Sequence, residues 1–487
     1  MKKIVLSVLS LMIFTSCAQE EVLLNNINFQ NTLNDSNIVK KNQNSNVYNN
    51  HSNIITNINK TDSNKNQQIT IKNKVNIAQN YNTETILAGL TKNATTQELT
   101  NVAKKYNIRV EKYLKQINTL VISSKGQNVP ELINNLSKEK IFEFVETDNI
   151  GTSKPDKEDN VLDSILKFNV LSNSYNDKYF NQQYGLKNIN AIQAWQLATG
   201  KDVKVAVIDS GTDVDHSDLK NNSIIGFDAF SDKKGLKAGD ASRLSYISNT
   251  YKHGSHVAGI IAAEANNKKG IVGVAYSSKI MSVKIFPDFT DFFKPVRKYS
   301  DGSDVTIVSI IADGIVWAVD NGAKVINMSL GLWEPSNTIE KAVKYALDRN
   351  VSVVVAAGNE RSNGNRKNYL ASINGVIAVG AVDENNRIAY FSNSGDYISV
   401  VAPGCDIISS VPSIFNSYKK MSGTSMAAPH VAGIVALMIE KFGDKATPKW
   451  VKDRLEKTAT DLGPQGWDDL YGHGLVNAYR ALSDTLE

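Results

Sequence analysis

The stretch VKVAVIDSGTDVDHSDL, residues 203–219, decides the fold. Residues 203–208 are apolar apart from Lys204, and the run stops at a carboxylate, Asp209, followed by Ser210 and Gly211. A short run that is apolar at alternate and intervening positions alike reads as a strand buried on both faces. Four similar runs follow: IMSVKIF at 280–286, AKVINMSL at 323–330, VSVVVAAG at 351–358 and GVIAVGAV at 375–382. Helical stretches at 304–320, 338–350 and 424–442 separate them. The alternation predicts an α/β domain, residues 177–484, built on a doubly wound, mostly parallel sheet. In such sheets, sites form beyond the carboxyl ends of the strands.

Those ends carry chemistry. A half-buried carboxylate at Asp209 costs free energy unless a donor pairs with it. HGSHVAGIIAAE, residues 253–264, supplies two histidines, His253 and His256, at the start of a helix. A zinc site does not fit them, because no Glu follows His253 and no third ligand is apparent. Asp213, Asp215 and Asp218 do not form an EF-hand loop, since the required Gly and terminal Glu are missing. Asn359 ends the run VSVVVAAGN with a primary amide. Ser425 sits in SGTSMAAPHVAG, in the first turn of a long helix, where free N–H groups and the dipole suit a developing oxyanion. Nucleophile, base, orienting carboxylate and oxyanion donor are the parts of acyl transfer.

VAVIDSGTDVDHSDL, HGSHVAG, INMSLG, VVAAGN and GTSMAAPHVAG together resemble the signature blocks of the subtilisin-like serine proteases, in the order Asp, His, Ser. Segments NDKYFNQQYGL and INAIQAW are most similar to thermitase-type members. The resemblance covers residues 177–484. It implies a Ser-His-Asp triad of Asp209, His253 and Ser425 with Asn359 as oxyanion donor, His256 being a packing or orienting neighbour. It further implies a substrate edge at Ser329, Leu330 and Gly331, an opposing edge at Gly302, and small pocket walls at Ala356, Ala357 and Gly358. Leu370 stands where the family often has Pro, at the expected pocket floor. Structural Ca²⁺ is implied at Asp177, Asp218 and Asn267, hard oxygen donors, with carbonyls of Ala265, Lys269 and Ile271 completing the shell. Lys268 and Lys269 beside that loop oppose a cation.

The rest of the chain surrounds this domain. It has 487 residues, 54 basic and 49 acidic, for a net charge of +5. No dense basic patch with interleaved aromatics points to nucleic acid. Residues 1–16 read as an export signal, too short to span a bilayer in the mature protein. It resembles a lipoprotein signal, in which Cys17 is acylated and anchors the chain in the bacterial cell envelope; ordinary secretion is the alternative. Residues 17–82 are an Asn-rich tether with too few apolar side chains to fold. Residues 83–150 read as β-α-β-β-α-β, a small ferredoxin-like α+β unit. That unit resembles the inhibitory propeptide of the same proteases, which implies self-cleavage between about residues 149 and 177. Residues 151–176 read as an exposed linker. The loop 286–300, with Phe289, Phe292 and Phe293, reads as a surface loop packed by its own side chains. Protein or peptide substrates follow from an active triad; a non-catalytic surface lipoprotein that binds host or envelope proteins is the competing reading.

Overall fold

The computed structural model describes residues 81–153, 157–159, 175–241, 250–286, 304–412 and 417–483. The export signal with Cys17, the tether up to residue 80, Gly302, and Phe289, Phe292 and Phe293 lie outside them.

The amino-terminal unit runs β1 (Tyr81–Leu90), α1 (Thr96–Lys105), β2 (Arg109–Leu114), β3 (Thr119–Ser123), α2 (Val129–Leu136) and β4 (Phe142–Ser153). Both helices start where side chains satisfy orphan N–H groups. Thr95 and Glu98 form a reciprocal capping box, and Asn128 caps α2 with Pro130 in its first turn. The sheet is antiparallel, in the order β4-β1-β3-β2. Its inner face, Ile86, Ala88, Leu120 and Ile122, packs on Val102, Leu132 and Leu136 of the helices.

After β5 (Lys157–Asp159), the second unit opens with β6 (Lys204–Asp209), β7 (Ser223–Asp228), β8 (Lys233–Lys234), helix α3 (Thr250–Ala262) and β9 (Lys279–Lys284). It continues through β10 (Asp304–Ile307), α4 (Val308–Asp320), β11 (Val325–Met328), β12 (Gly331–Leu332), α5 (Asn337–Leu347) and β13 (Ser352–Ala356). Strands β14 (Ile377–Val382), β15 (Val400–Pro403), β16 (Ile407–Ser410) and β17 (Tyr418–Ser422) precede helix α6 (Thr424–Phe442). Eight strands pair in the order β15-β14-β13-β11-β6-β9-β7-β8, parallel except for β7 with β8. The order reverses around β6, so the switch point lies where β6 ends on Asp209.

Burial on both faces explains the unbroken apolar runs. Val205 and Val207 of β6 join one core cluster, Ala206 and Ile208 the other. On β13, Val354 and Ala356 enter the first cluster, Val353 and Val355 the second. Helix α6 passes through the first cluster and is buried continuously from Thr424 to Met438.

The expected linker differs from the structure at its start. Strand β4 does not end at residue 150. Its last residues pair on one side with β10 and on the other with β12, and Gly151 and Thr152 are buried. Beyond it, β5 pairs antiparallel with β17. Gly, Thr and Ser carry no strand-like side-chain pattern, because this pairing is made by main chain alone.

Candidate active site

Asp209, His253, Asn359 and Ser425 come from four different elements. Asp209 ends β6 and is buried. Its Oδ1 accepts from the Ser210 N–H at 2.7 Å. His253 Nδ1 lies 2.8 Å from that oxygen and 2.9 Å from Oδ2, so the carboxylate fixes the proton on Nδ1 and leaves Nε2 as the basic nitrogen. Gly254 makes the approach possible. A Cβ there would stand 2.1 Å from the Gly211 carbonyl oxygen, which only a bare backbone avoids. The Gly254 N–H donates to Ser210 Oγ at 3.1 Å, and Ser255 Oγ accepts from the Asp213 N–H at 2.8 Å. Three successive residues of α3 thus dock on the loop after β6.

His256 is fully buried one turn further in. Its Nε2 is 3.0 Å from the Lys419 carbonyl, and burial pushes its pKa down to about 3. A neutral ring donating to a carbonyl is a tie between α3 and β17, separate from the Asp209–His253 pair.

Ser425 is the second residue of α6 and is 7% exposed. Asn359 follows β13. Its Oδ1 accepts from the Thr424 N–H and from Thr424 Oγ1, both at 2.9 Å. A backbone donor identifies that atom as the oxygen, which leaves the Nδ2 donors for the cleft. Thr424 also accepts from the Gly358 N–H, at 3.1 Å. Thr424 therefore holds the amide beside the helix start. Its place just before Ser425 is the one sequence signal for that role.

The groove is defined by what lies in it. Thr152 pairs with Gly331 of β12 and with residue 305 of β10; Gly151 pairs with Leu332 and Thr306. The chain's own strand is thus sandwiched antiparallel between two edges. Thr152, Ser329, Leu330, Gly331, Trp333, Ala356, Gly358, Asn359, Glu360, Thr424 and Ser425 line one pocket. Ser329 accepts from Asn327 Nδ2 at 3.0 Å and donates from Oγ to the Ser425 carbonyl at 2.9 Å. Gly302, expected on the opposing edge, lies outside the described residues, and the pairing seen there is made by β10.

Two expectations about the walls change. Ala357 does not line the pocket. It is fully buried, with its N–H bound to the Val379 carbonyl and its own carbonyl accepting from Tyr397. Leu370 is core, not pocket floor. Residues missed by the sequence reading matter more. Asn368 is fully buried; its Nδ2 donates to the Leu330 and Ala356 carbonyls and its Oδ1 accepts from the Leu332 N–H. It staples the two walls together. Glu360 and Trp333 add polar groups to the pocket.

The amino-terminal unit reaches helix ends with two carboxylates. Glu146 accepts from Ser336 Oγ, from Asn337 N–H and Nδ2, and from the Thr338 N–H, all at the start of α5. Asp148 accepts from the Ser309 N–H and Oγ at the start of α4, and from Thr85 Oγ1. Both are placed where a helix dipole favours negative charge. Even so, full burial pushes the Asp148 carboxyl up to about 6.

Asp177, Asp218 and Asn267 meet around the loop 264–271. Asp218 accepts from Asn267 Nδ2 at 2.6 Å, from the Ile271 N–H at 3.0 Å and from Tyr418 at 2.9 Å. Asp177 accepts from the N–H groups of Asn266 and Asn267. Burial raises the Asp177 pKa, and the nearby Asp218 raises it further. Two carboxylates and an amide are donors suited to Ca²⁺, and a cation would relieve that repulsion. Their bonds run to loop N–H groups, and no trio of His, Cys, Asp or Glu converges on one point among the described residues.

The second unit is similar to known proteins. The subtilase family model matches residues 200–474. Fervidolysin of Fervidobacterium pennivorans is 39% identical over 338 residues, 65% of this chain and 46% of its own length. Thermitase of Thermoactinomyces vulgaris is 35% identical over 308 residues, 63% of this chain and 98% of that protein. The crystal structure of fervidolysin, described as a keratinolytic enzyme related to subtilisin, superposes with a TM-score of 0.71 and 34% identity, covering 82% of this chain and 61% of fervidolysin. The chain therefore spans under half to under two thirds of fervidolysin, yet nearly all of thermitase.

Proposed function

The chain belongs to the subtilase family, and on that premise we propose that it is a serine endopeptidase working through Asp209, His253, Ser425 and Asn359. Ser425 Oγ attacks the carbonyl carbon of the scissile bond while its proton passes to His253 Nε2. Asp209, hydrogen-bonded to Nδ1, keeps the ring in the right tautomer and stabilises the imidazolium. Charge on the carbonyl oxygen is met by Asn359 Nδ2 and the Ser425 N–H at the start of α6. Collapse breaks the C–N bond, and the imidazolium gives its proton to the departing amine. Water then repeats the sequence in reverse on the acyl-enzyme, releasing the acid and restoring Ser425.

One observation carries this reading. A peptide strand, β4, already lies antiparallel between β10 and β12 beside Ser425, as an extended substrate would. A fluorophosphonate probe tests it: the processed wild type should be labelled and Ser425→Ala should not. Failure of the wild type to label would favour a non-catalytic binding protein instead.

The same strand supports a role for the ferredoxin-like unit at 83–150 as an intramolecular inhibitor, removed by self-cleavage between about residues 149 and 177. Acylated Cys17 would anchor the uncut chain in the cell envelope, and cleavage would release the protease domain unless the inhibitor stays bound. Ca²⁺ would be held by Asp177, Asp218 and Asn267, tying the loop 264–271 to the segment before β6. It supplies no step of the chemistry. Added Ca²⁺ should raise Tm, chelation should lower it, and Asp218→Asn should abolish the difference.

A further inference from the structure

We propose that Trp333 makes the groove selective for a hydroxyl-bearing residue, Thr or Ser, at the substrate position that pairs with Gly331. The inference rests on the endopeptidase reading and adds a side-chain determinant to it. Main-chain pairing along β10 and β12 accepts nearly any sequence, so selectivity at a given position has to come from a side chain that reaches it. At this position one does. Thr152 of β4 is opposite Gly331, and the Trp333 indole N–H donates to Thr152 Oγ1 at 2.9 Å. Thr152 is 6% exposed, so its hydroxyl has little water to turn to.

The indole is also held by contacts that do not involve Thr152. Its six-membered ring lies over Gly331, where a Cβ would stand 2.8 Å from ring carbon Cζ2. Any larger residue at 331 would push the ring away. The Arg366 guanidinium sits 5.6 Å from the ring centroid, bonded to the Trp333 carbonyl at 3.4 Å and to Glu334 at 2.7 Å. A preorganised donor that meets a hydroxyl gains a hydrogen bond. One that meets a methyl group loses its partner and is shielded from water, which is the costly case. Thr and Val have the same shape, so they separate this effect from packing.

The test uses quenched-fluorescent peptides in which each of the four positions before the cut is in turn Thr, Ser, Val or Ala. With the wild-type enzyme, Thr should exceed Val by roughly fivefold in kcat/KM at a single position, mostly through KM. Ser should exceed Ala there by a similar factor. In W333F the Thr/Val ratio should fall to near one, whatever the absolute rates. Equal rates for Thr and Val at all four positions would overturn the proposal, as would a ratio that survives in W333F. Should W333F fold poorly, the wild-type Ser/Ala ratio decides: no preference at the Thr-selective position would also overturn it. Protein that labels with the fluorophosphonate but shows no Thr preference refutes this inference alone. Protein that neither labels nor cuts refutes the endopeptidase reading and this inference with it.

Discussion

The two halves of β4 are one continuous strand with two kinds of partner. Phe142 to Asn149 pair with β1 inside the amino-terminal unit, where Phe142 joins the local core. Ile150 to Ser153 pair with β10 and β12 of the other unit. The first half is specified by side chains: aromatic and apolar residues on the core side, Glu146 and Asp148 reaching helix ends. The second half is specified by backbone, with Gly151 close enough to Ile311 that a Cβ would stand 2.9 Å from its Cδ1. The contrast teaches that docking and recognition are divided. Side chains before residue 150 fix where the unit sits; after it the main chain pairs as an extended peptide would, and the Thr152 hydroxyl adds one side-chain bond to Trp333.

The largest break in this comparison comes from Ser425→Ala. Peptide hydrolysis should fall by roughly 10⁴-fold or more, and mass spectrometry should find the two halves of β4 and β5 still in one chain. Cleavage of that variant at an unchanged rate would remove Ser425 from the chemistry.

Glu146→Ala should act next. It frees four donors at the start of α5 while leaving the cleft untouched. A loss of about 1–2 kcal/mol is expected, read as roughly tenfold faster amide exchange across residues 150–153. No change there would mean that the second half of β4 holds itself in the groove.

The pH dependence sharpens the division further. Asp148 has a pKa raised to about 6 when docked, above its ordinary value, so the docked form holds the proton more tightly. Its contribution is therefore full below about pH 4 and is lost as pH rises through 6. Amide exchange in β4 should quicken between pH 5 and pH 7.5, and Asp148→Asn should flatten that trend.

The smallest effect belongs to the pair between Glu143 and Lys341, 2.5 Å apart at its nearest oxygen, with the Glu143 side chain 56% exposed. Glu143→Ala should shift thermal stability by less than about 1 kcal/mol. A larger loss would show that exposed charges share the docking with the two capping carboxylates.

Much of the site was legible because its residues sit at abrupt changes of pattern. Asp209 and Asn359 end apolar runs, and Ser425 begins a helix. Asn368 gave no such signal. It lies in a short irregular segment, and only the fold brings Leu330, Leu332 and Ala356 to its amide. Ala357 misled in the opposite way. Its small size suits a pocket wall, but its direction depends on pairing with β14. Residues 151 and 152 read as linker because a strand that pairs through main chain on both edges carries no periodic side-chain pattern.

The sequence by itself determined the elements, the parallel sheet and the order of the chemical groups. Burial on two faces and helix starts are recorded residue by residue. Only the tertiary structure decided which strand fills the groove, which carboxylates cap which helices and which indole meets Thr152. Those contacts join residues as much as 192 positions apart, the separation of Glu146 and Thr338. Their geometry is set by how two independently patterned units pack, and local sequence carries no record of that.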